Sequence, residues 1–310
     1  MSELLFEIGT EELPAGFQKP ALAQLKKNFI KQAKDLNLAH GTVETLGTPR
    51  RLALLVEDLS DSQPDSSEKF MGPSRQAGFD ADGNPTKAAM GFARSKGADV
   101  SDLKIVETEK GEYLMLVQER KGVATTELLP KVLEGLMQGF SFAKSMRWGD
   151  HTSTFARPIQ WLVALHNGKI VPYSYQGLSA SNMSRGHRFM ANEDVAMEGV
   201  ASYRSTLQGV SVQVDPDERR SSVLVEIEKA VADTLDPRVA QVAVDRALVD
   251  TVCNLVEKPY GVCGSFDEKF LQLPDEALIT SMREHQKYFP VVGREKQLLP
   301  HFVAVNNTEV

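Results

Sequence analysis

The sequence predicts an α+β protein of more than one domain, with mixed or antiparallel sheets and helices packed on them. Three observations carry this. The 310 residues exceed what one hydrophobic core usually serves. The opening apolar patterns run strand, helix, strand, strand, which suggests a small sheet with a helix on one face. After about Glu193 the patterning changes and becomes mostly helical.

Taken in order, Glu3 to Gly9 alternates apolar and polar residues and reads as a strand, and Thr10 to Pro14 turns the chain. From Phe17 to Leu36 the apolar positions Leu22, Leu25, Phe29, Ala33 and Leu36 fall at helical spacing. Pro20 sits near the start, where its missing N–H matters least. Val43–Leu46 and Leu52–Val56 are the next predicted strands. The polar stretch 60–68 reads as linker. A compact insertion follows: turn chemistry at 80–85, a helix over 87–95 capped by Thr86, and a hairpin of 103–106 with 113–118.

A helix is predicted over 125–137, then strands 159–165 and 170–175 around Asn167-Gly168, a strong hairpin signal. Beyond Glu193 come a helix over 195–207, a strand over 210–214, and a helix from Asp215 to Leu235 with Pro216 at its first position. Residues 239–256 read as one more helix and 261–266 as a strand. A helix over 275–286 and strands 288–292 and 302–305 complete the pattern. The chain ends at Val310 one strand past the previous element, which hints at truncation.

Composition narrows the function classes. A charged fraction of 25% and a hydrophobic fraction of 42% exclude a wholly disordered chain. No apolar run approaches the roughly 20 residues a membrane span needs, and the acidic residue Glu3 argues against a secretory signal. The two cysteines, Cys253 and Cys263, make neither a disulfide framework nor a four-ligand zinc site, and a reducing cytoplasm is the expected setting. A net charge of −7 argues against coating nucleic acid through global charge, but not against a local basic face.

No phosphate-cradling loop, dinucleotide fingerprint, nucleophile elbow or zinc-protease helix is present, and the six histidines show no ligand spacing. Catalytic residues and metal ligands are therefore expected to be none. Glu11 and Glu12 read as turn or helix-start carboxylates, and Glu284-His285 lacks a nearby nucleophile or electrophile stabiliser. What stands out is a basic, aromatic-interleaved set in three places. Arg147 and Trp148 precede Arg157; Arg185 and Arg188 flank His187 before Phe189; Arg283 and Lys287 precede Tyr288. Guanidinium forks suit phosphates and aromatic rings offer stacking faces, so these residues are candidates for RNA contact. Structural anchoring is the competing role for each.

The same segments carry a resemblance. Phe6 through Pro14, Thr48 through Ala53, Gly72-Pro73, Phe79 through Ala89 with Gly91 to Arg94, and Met146 to Gly149 resemble the β subunit of bacterial heterotetrameric glycyl-tRNA synthetase. Phe155 to Trp161, Arg185 to Phe189, Leu255 to Pro259, Gly264 to Phe270, His285 to Pro290 and Leu299 to Phe302 extend the likeness in the same order.

That resemblance implies an α2β2 tetramer joining glycine to tRNA(Gly), with ATP and Mg used by the catalytic α subunit and no cofactor in this region. It implies a B3/B4-like core over 1–60 together with 122–192 and a small inserted α+β subdomain over 61–121. A helix-rich α+β domain over 193–310 would continue into a longer C-terminal part. The expected role is tRNA binding and subunit assembly in the cytoplasm, with no membrane and no catalysis of its own. An editing-type aminoacyl-tRNA hydrolase and a purely structural interaction module are the alternatives. A pocket for glycine can exclude larger amino acids sterically, which weakens the case for editing.

Overall fold

The computed structural model describes residues 2–309. The chain forms two compact units, residues 62–125 and the remainder on either side of them. In chain order the first elements are β1 (Ser2–Thr10), α1 (Ala15–Asp35), β2 (Val43–Thr48) and β3 (Arg51–Leu59). The smaller unit holds β4 (Ser66–Ser74), α2 (Arg75–Gly78), α3 (Lys87–Ser95), β5 (Leu103–Thr108) and β6 (Gly111–Arg120). Next come α4 (Thr125–Gln138), β7 (Ile159–His166), β8 (Lys169–Ile170), β9 (Ser174–Tyr175), β10 (Leu178–Ser179) and β11 (Met183–Arg185). The rest comprises β12 (Asp194–Ala196), α5 (Val200–Gly209), α6 (Pro216–Thr234), β13 (Ala240–Val242), α7 (Arg246–Cys253), β14 (Tyr260–Ser265), α8 (Asp275–Thr280), β15 (Phe289–Gly293) and β16 (Leu298–Asn306). Several antiparallel sheets with packed helices make this a multi-domain α+β fold.

The larger unit is organised by an antiparallel sheet of order β2-β3-β1-β7-β8. Both faces of its middle strands are covered, and strand alternation sorts the side chains. Leu4, Phe6 and Ile8 of β1 join Leu52 and Leu54 of β3 and Leu162 of β7 in one core, with Leu25 and Phe29 of α1 and Leu133 of α4. Leu5, Ala53, Trp161 and Val163 point the other way and pack with Tyr203 and Leu207 of α5. Each apolar side chain fully removed from water contributes about 1.5–3 kcal/mol, so a one-residue slip of β1 would exchange both cores at once.

The second sheet, order β13-β15-β16-β14, packs under α6 and α7 around Val223, Ile227, Val252, Phe289 and Val303. In the smaller unit β4, β6 and β5 form an antiparallel sheet, with Leu114 and Leu116 of β6 buried alongside Ala89 and Ala93 of α3. Among the described residues no helix is long and apolar enough to cross a membrane.

Most elements lie where the pattern puts them, and the differences have physical causes. Ser66 to Glu68, read as linker, enter β4, an edge strand whose solvent side accepts polar residues. The helix read over 239–256 is β13 followed by a shorter α7, because Asp245 caps the later start by accepting from Ala247 N and Leu248 N. The helix read over 195–207 begins at Val200, after Gly199 and the strand β12. Val210, Val212 and Val214 are buried alternately, as a strand's residues would be, yet they form no ladder. The first sheet meets this stretch through a backbone bond from Gly47 N to Val214 O, at 3.0 Å. The expected strand 170–175 breaks into β8 and β9, and the helix 275–286 widens to π geometry from Ser281 onward.

Candidate nucleic-acid interface

Glu7 is the chemical anomaly of β1. It is fully buried in a central strand, between Phe6 and Ile8, on the face that carries Leu5. An uncompensated carboxylate there would cost several kcal/mol. Instead its Oε1 accepts from Trp161 Nε1 at 2.5 Å and Ser184 Oγ at 2.6 Å, and its Oε2 accepts from Tyr203 OH at 2.5 Å. Arg51 of β3, also fully buried, places Nη1 4.0 Å from Oε2 and 3.1 Å from Ser184 Oγ. Its Nη2 donates to Glu257 Oε1 at 3.1 Å.

Glu257, on the segment between α7 and β14, closes the network. Its Oε1 accepts from Thr48 Oγ1 at 2.7 Å, and Arg50 Nη1 lies 3.6 Å from Oε2. Burial by itself would raise the Glu257 pKa, but Arg51, the Thr48 hydroxyl and Arg50 reverse this and hold it below the ordinary value. Burial likewise opposes the Arg51 charge, and Glu257 with Glu7 more than offsets it. Desolvation wins at Arg50, whose pKa is lowered, and burial with Glu7 pushes the Tyr203 phenol well up.

The network reaches the surface through Trp161 and the loop after β11. The indole lies against Gly9, where an added Cβ would stand 1.9 Å from the ring. The guanidinium of Arg185 sits 4.9 Å from its centroid, with those of Arg50 and Arg51 at 5.5 and 5.6 Å. Buried His187 then fixes the loop from inside. Its Nε2 donates to Asn307 Oδ1 at 3.0 Å, and its Nδ1 accepts from Phe189 N and Met190 N at 3.3 Å each. Asn307 Oδ1 also accepts from Glu257 N at 2.6 Å. Gly186 N donates to Glu193 O and Ala191 N to His187 O, and a Cβ on Gly186 would lie 2.2 Å from Ala191 O. The loop is thereby held in one shape. Outside it, Phe189 is 67% exposed between Arg188 and Met190.

The other sequence candidates fall in distinct surroundings. Arg188 donates to Glu11 Oε2 at 2.5 Å and Glu12 Oε1 at 3.3 Å, and the Glu11 hydrogen bond raises its pKa. The acid pair after the first strand is thus its partner. Glu11 N in turn donates to Pro158 O, and Arg157, the residue before it, donates from Nη1 to Ala156 O at 3.0 Å. Arg147 is exposed, while Trp148 is half-buried against the first core and edge-on to His151. Arg283 lies 3.6 Å from Asp245 and 2.8 Å from Glu284. Lys287, in the left-handed region at φ 61°, donates to Glu284 O at 2.8 Å, and Tyr288 stacks on Phe302 at 4.6 Å.

The profile of the family described as glycyl-tRNA synthetase beta subunit matches residues 4–310. The chain belongs to the glycyl-tRNA synthetase β-subunit family. It is 47% identical over 306 residues to the glycine–tRNA ligase beta subunit of Citrifermentans bemidjiense, covering 99% of this chain and 44% of that protein. The corresponding subunits of Syntrophus aciditrophicus and Geobacter sp. strain M21 are 45% and 46% identical, again over 99% of this chain and 44% of theirs. The chain therefore spans less than half the length of these relatives.

Within this β-subunit chain, the segments Thr48 to Arg51 and Leu255 to Pro259 turn inward and meet at Glu257. Sequence reasoning assigned no role to Glu7, Arg51 or Glu257. A signal was available: Glu7 stands in an otherwise apolar strand, and a charge there requires a buried partner.

Proposed function

We propose that this chain is the N-terminal portion of the β subunit of a glycine–tRNA ligase, binding tRNA(Gly) and helping to assemble an α2β2 enzyme in the cytoplasm. In this reading the α subunit holds the catalytic site for ATP, Mg and glycine, and no residue of this chain is assigned to those ligands. The chain itself is a docking platform. The observation that carries the reading is the internally locked loop after β11, which presents Phe189 at 67% exposure beside Arg185 and Arg188. An exposed ring fixed in position stacks on an unpaired base at small entropic cost, and neighbouring guanidinium groups meet phosphate. Arg188 is held by Glu11 at 2.5 Å and Glu12 at 3.3 Å, whereas Arg185 has Asp194 at 3.7 Å, so Arg185 is the less tightly paired cation of the two.

The test is titration of the chain with labelled tRNA(Gly) at several salt concentrations. Phe189→Ala is expected to weaken binding about tenfold, as loss of one base–aromatic stack does. Arg185→Ala should weaken it less and flatten the salt dependence. Unchanged affinity in both variants, with folding intact, would remove the loop from the interface. Turnover of alanyl- or seryl-tRNA by the chain alone would replace the docking reading with the hydrolytic one.

A further inference from the structure

The smaller unit carries a helix face that its own fold leaves unused. α3 turns Ala89 and Ala93 inward, and Phe92 lies against Gly72, where a Cβ would come within 2.6 Å of the ring. The opposite face shows Lys87, Met90, Gly91 and Arg94 to solvent. Two of these choices work against the helix. Lys87 is its first residue, where the helix dipole is positive, and the first turn has no acid to balance it. Gly91 carries glycine's backbone-entropy penalty in the helix interior, yet a Cβ there would meet nothing within 4 Å. Packing inside the unit explains neither residue. Sequence choices that oppose local structure without a packing reason mark places selected for something else.

Charge indicates what that is. The unit's ion pairs are Arg75 with Glu112 and Arg120 with Glu68, so Lys87 and Arg94 have no carboxylate partner among the described residues. They lie two helical turns apart, about 10 Å along the axis. Lys96 follows, its ammonium 4.0 Å from the centroid of Phe70. The nearby acids are engaged in a turn: Asp99 accepts from Ser101 N and Asp102 from Asp99 N. We propose that this face of α3 binds the sugar–phosphate backbone of RNA, with Lys87 and Arg94 on phosphates and Gly91 giving the backbone room to approach the helix closely. A polyanion neutralises both cations at once, whereas a protein would need two carboxylates at the same spacing. The inference rests on the tRNA-binding reading of the chain and adds a site separate from the Phe189 loop.

Fluorescence anisotropy of labelled tRNA(Gly) with the 310-residue chain tests it, using two variants of opposite structural effect. Lys87→Ala with Arg94→Ala is expected to lower affinity tenfold or more and to reduce the slope of log K against log salt by about two. Gly91→Ala removes a helix-opposing residue, so it should raise the melting temperature by about 2–8 °C while weakening RNA binding at least threefold. A stabilised Gly91→Ala chain with wild-type affinity, together with an unaffected double variant, overturns the site. If Phe189→Ala still weakens binding in that case, the tRNA reading stands and only this inference fails. If the wild-type chain binds no tRNA, both fail. If the double variant loses co-purification with the catalytic subunit but keeps its RNA affinity, the face is a protein interface and the proposal is wrong.

Discussion

Arg51 Nη2 lies 3.1 Å from Glu257 Oε1, across 206 residues of sequence, with neither side chain in contact with solvent. The pair fastens β3 of the first sheet to the segment that leads into the second. Removing one partner leaves a buried charge uncompensated, which typically costs about 3–5 kcal/mol. Arg51→Met should therefore destabilise the larger unit by that order in urea unfolding. Combining it with Glu257→Gln should recover part of the loss, because the second change neutralises one of the orphaned carboxylates. A double variant whose loss equals the sum of the two single losses would show that the residues act independently.

The same network makes stability depend on pH with a definite sign. The folded-state pKa of Glu257 is depressed below its ordinary value of 4.5, first against desolvation and then by Arg51, Thr48 and Arg50. A depressed carboxylate contributes stability that is fully present above the unfolded pKa and is lost as pH falls through the folded one. Urea midpoints should therefore be insensitive to Glu257 between pH 7 and about 5, then fall below about 4.5. In Glu257→Gln the acid-side fall should be shallower. An equal acid slope in both proteins would exclude Glu257 as its source.

The strand and helix patterns of the first sheet were legible because alternation in β1, β3 and β7 maps directly onto two buried faces. Where the readings slipped, local pattern competed with context. Val239 to Val242 are as compatible with a strand as with a helix, and pairing of β13 with β15 decided the outcome. The candidate arginines were visible as residue types, but their partners were not. Nothing local in the sequence says that Arg188 meets Glu11 and Glu12 while Arg185 lies over Trp161, since those contacts depend on how β11 crosses the sheet.

Gly9→Ala probes the coupling between core and loop. Its Cβ would stand 1.9 Å from the Trp161 indole, so the ring must move. Displacement would break the indole's bond to Glu7 and its contact with the Arg185 guanidinium. Overpacking in a close-packed core costs about 1–3 kcal/mol, and the lost hydrogen bond to a buried carboxylate adds to it. The expected result is a lower melting temperature and a shifted tryptophan emission, readable because the chain has only two tryptophans. In the docking reading, tRNA affinity falls as well, because Arg185 loses its platform. Affinity maintained after the emission shift would show that Arg185 does not need Trp161 to reach RNA.

Arg219 of α6 is fully buried and has no carboxylate in contact among the described residues; its fork is satisfied by three backbone carbonyls. Nε donates to Cys253 O at 2.8 Å, Nη1 to Gln213 O at 2.5 Å and Nη2 to Gly47 O at 2.9 Å. Helix α7, the segment before α6 and strand β2 are thus joined through one side chain. Two effects oppose each other in Arg219→Leu. Desolvation already lowers the Arg219 pKa, so deleting the charge removes an unfavourable term. Against this, the buried carbonyls of Cys253 and Gly47 are left without donors, at about 1–3 kcal/mol each, and the part-buried Gln213 carbonyl adds less. The orphaned carbonyls outweigh the relief, and a net loss of about 2–4 kcal/mol is expected in urea unfolding. Arg219→Lys separates geometry from charge: an ammonium on a flexible stem does not reproduce the planar fork and so should recover only part of the loss. A lysine variant as stable as the wild type would mean that charge alone, and not the three-way fork, holds these elements together.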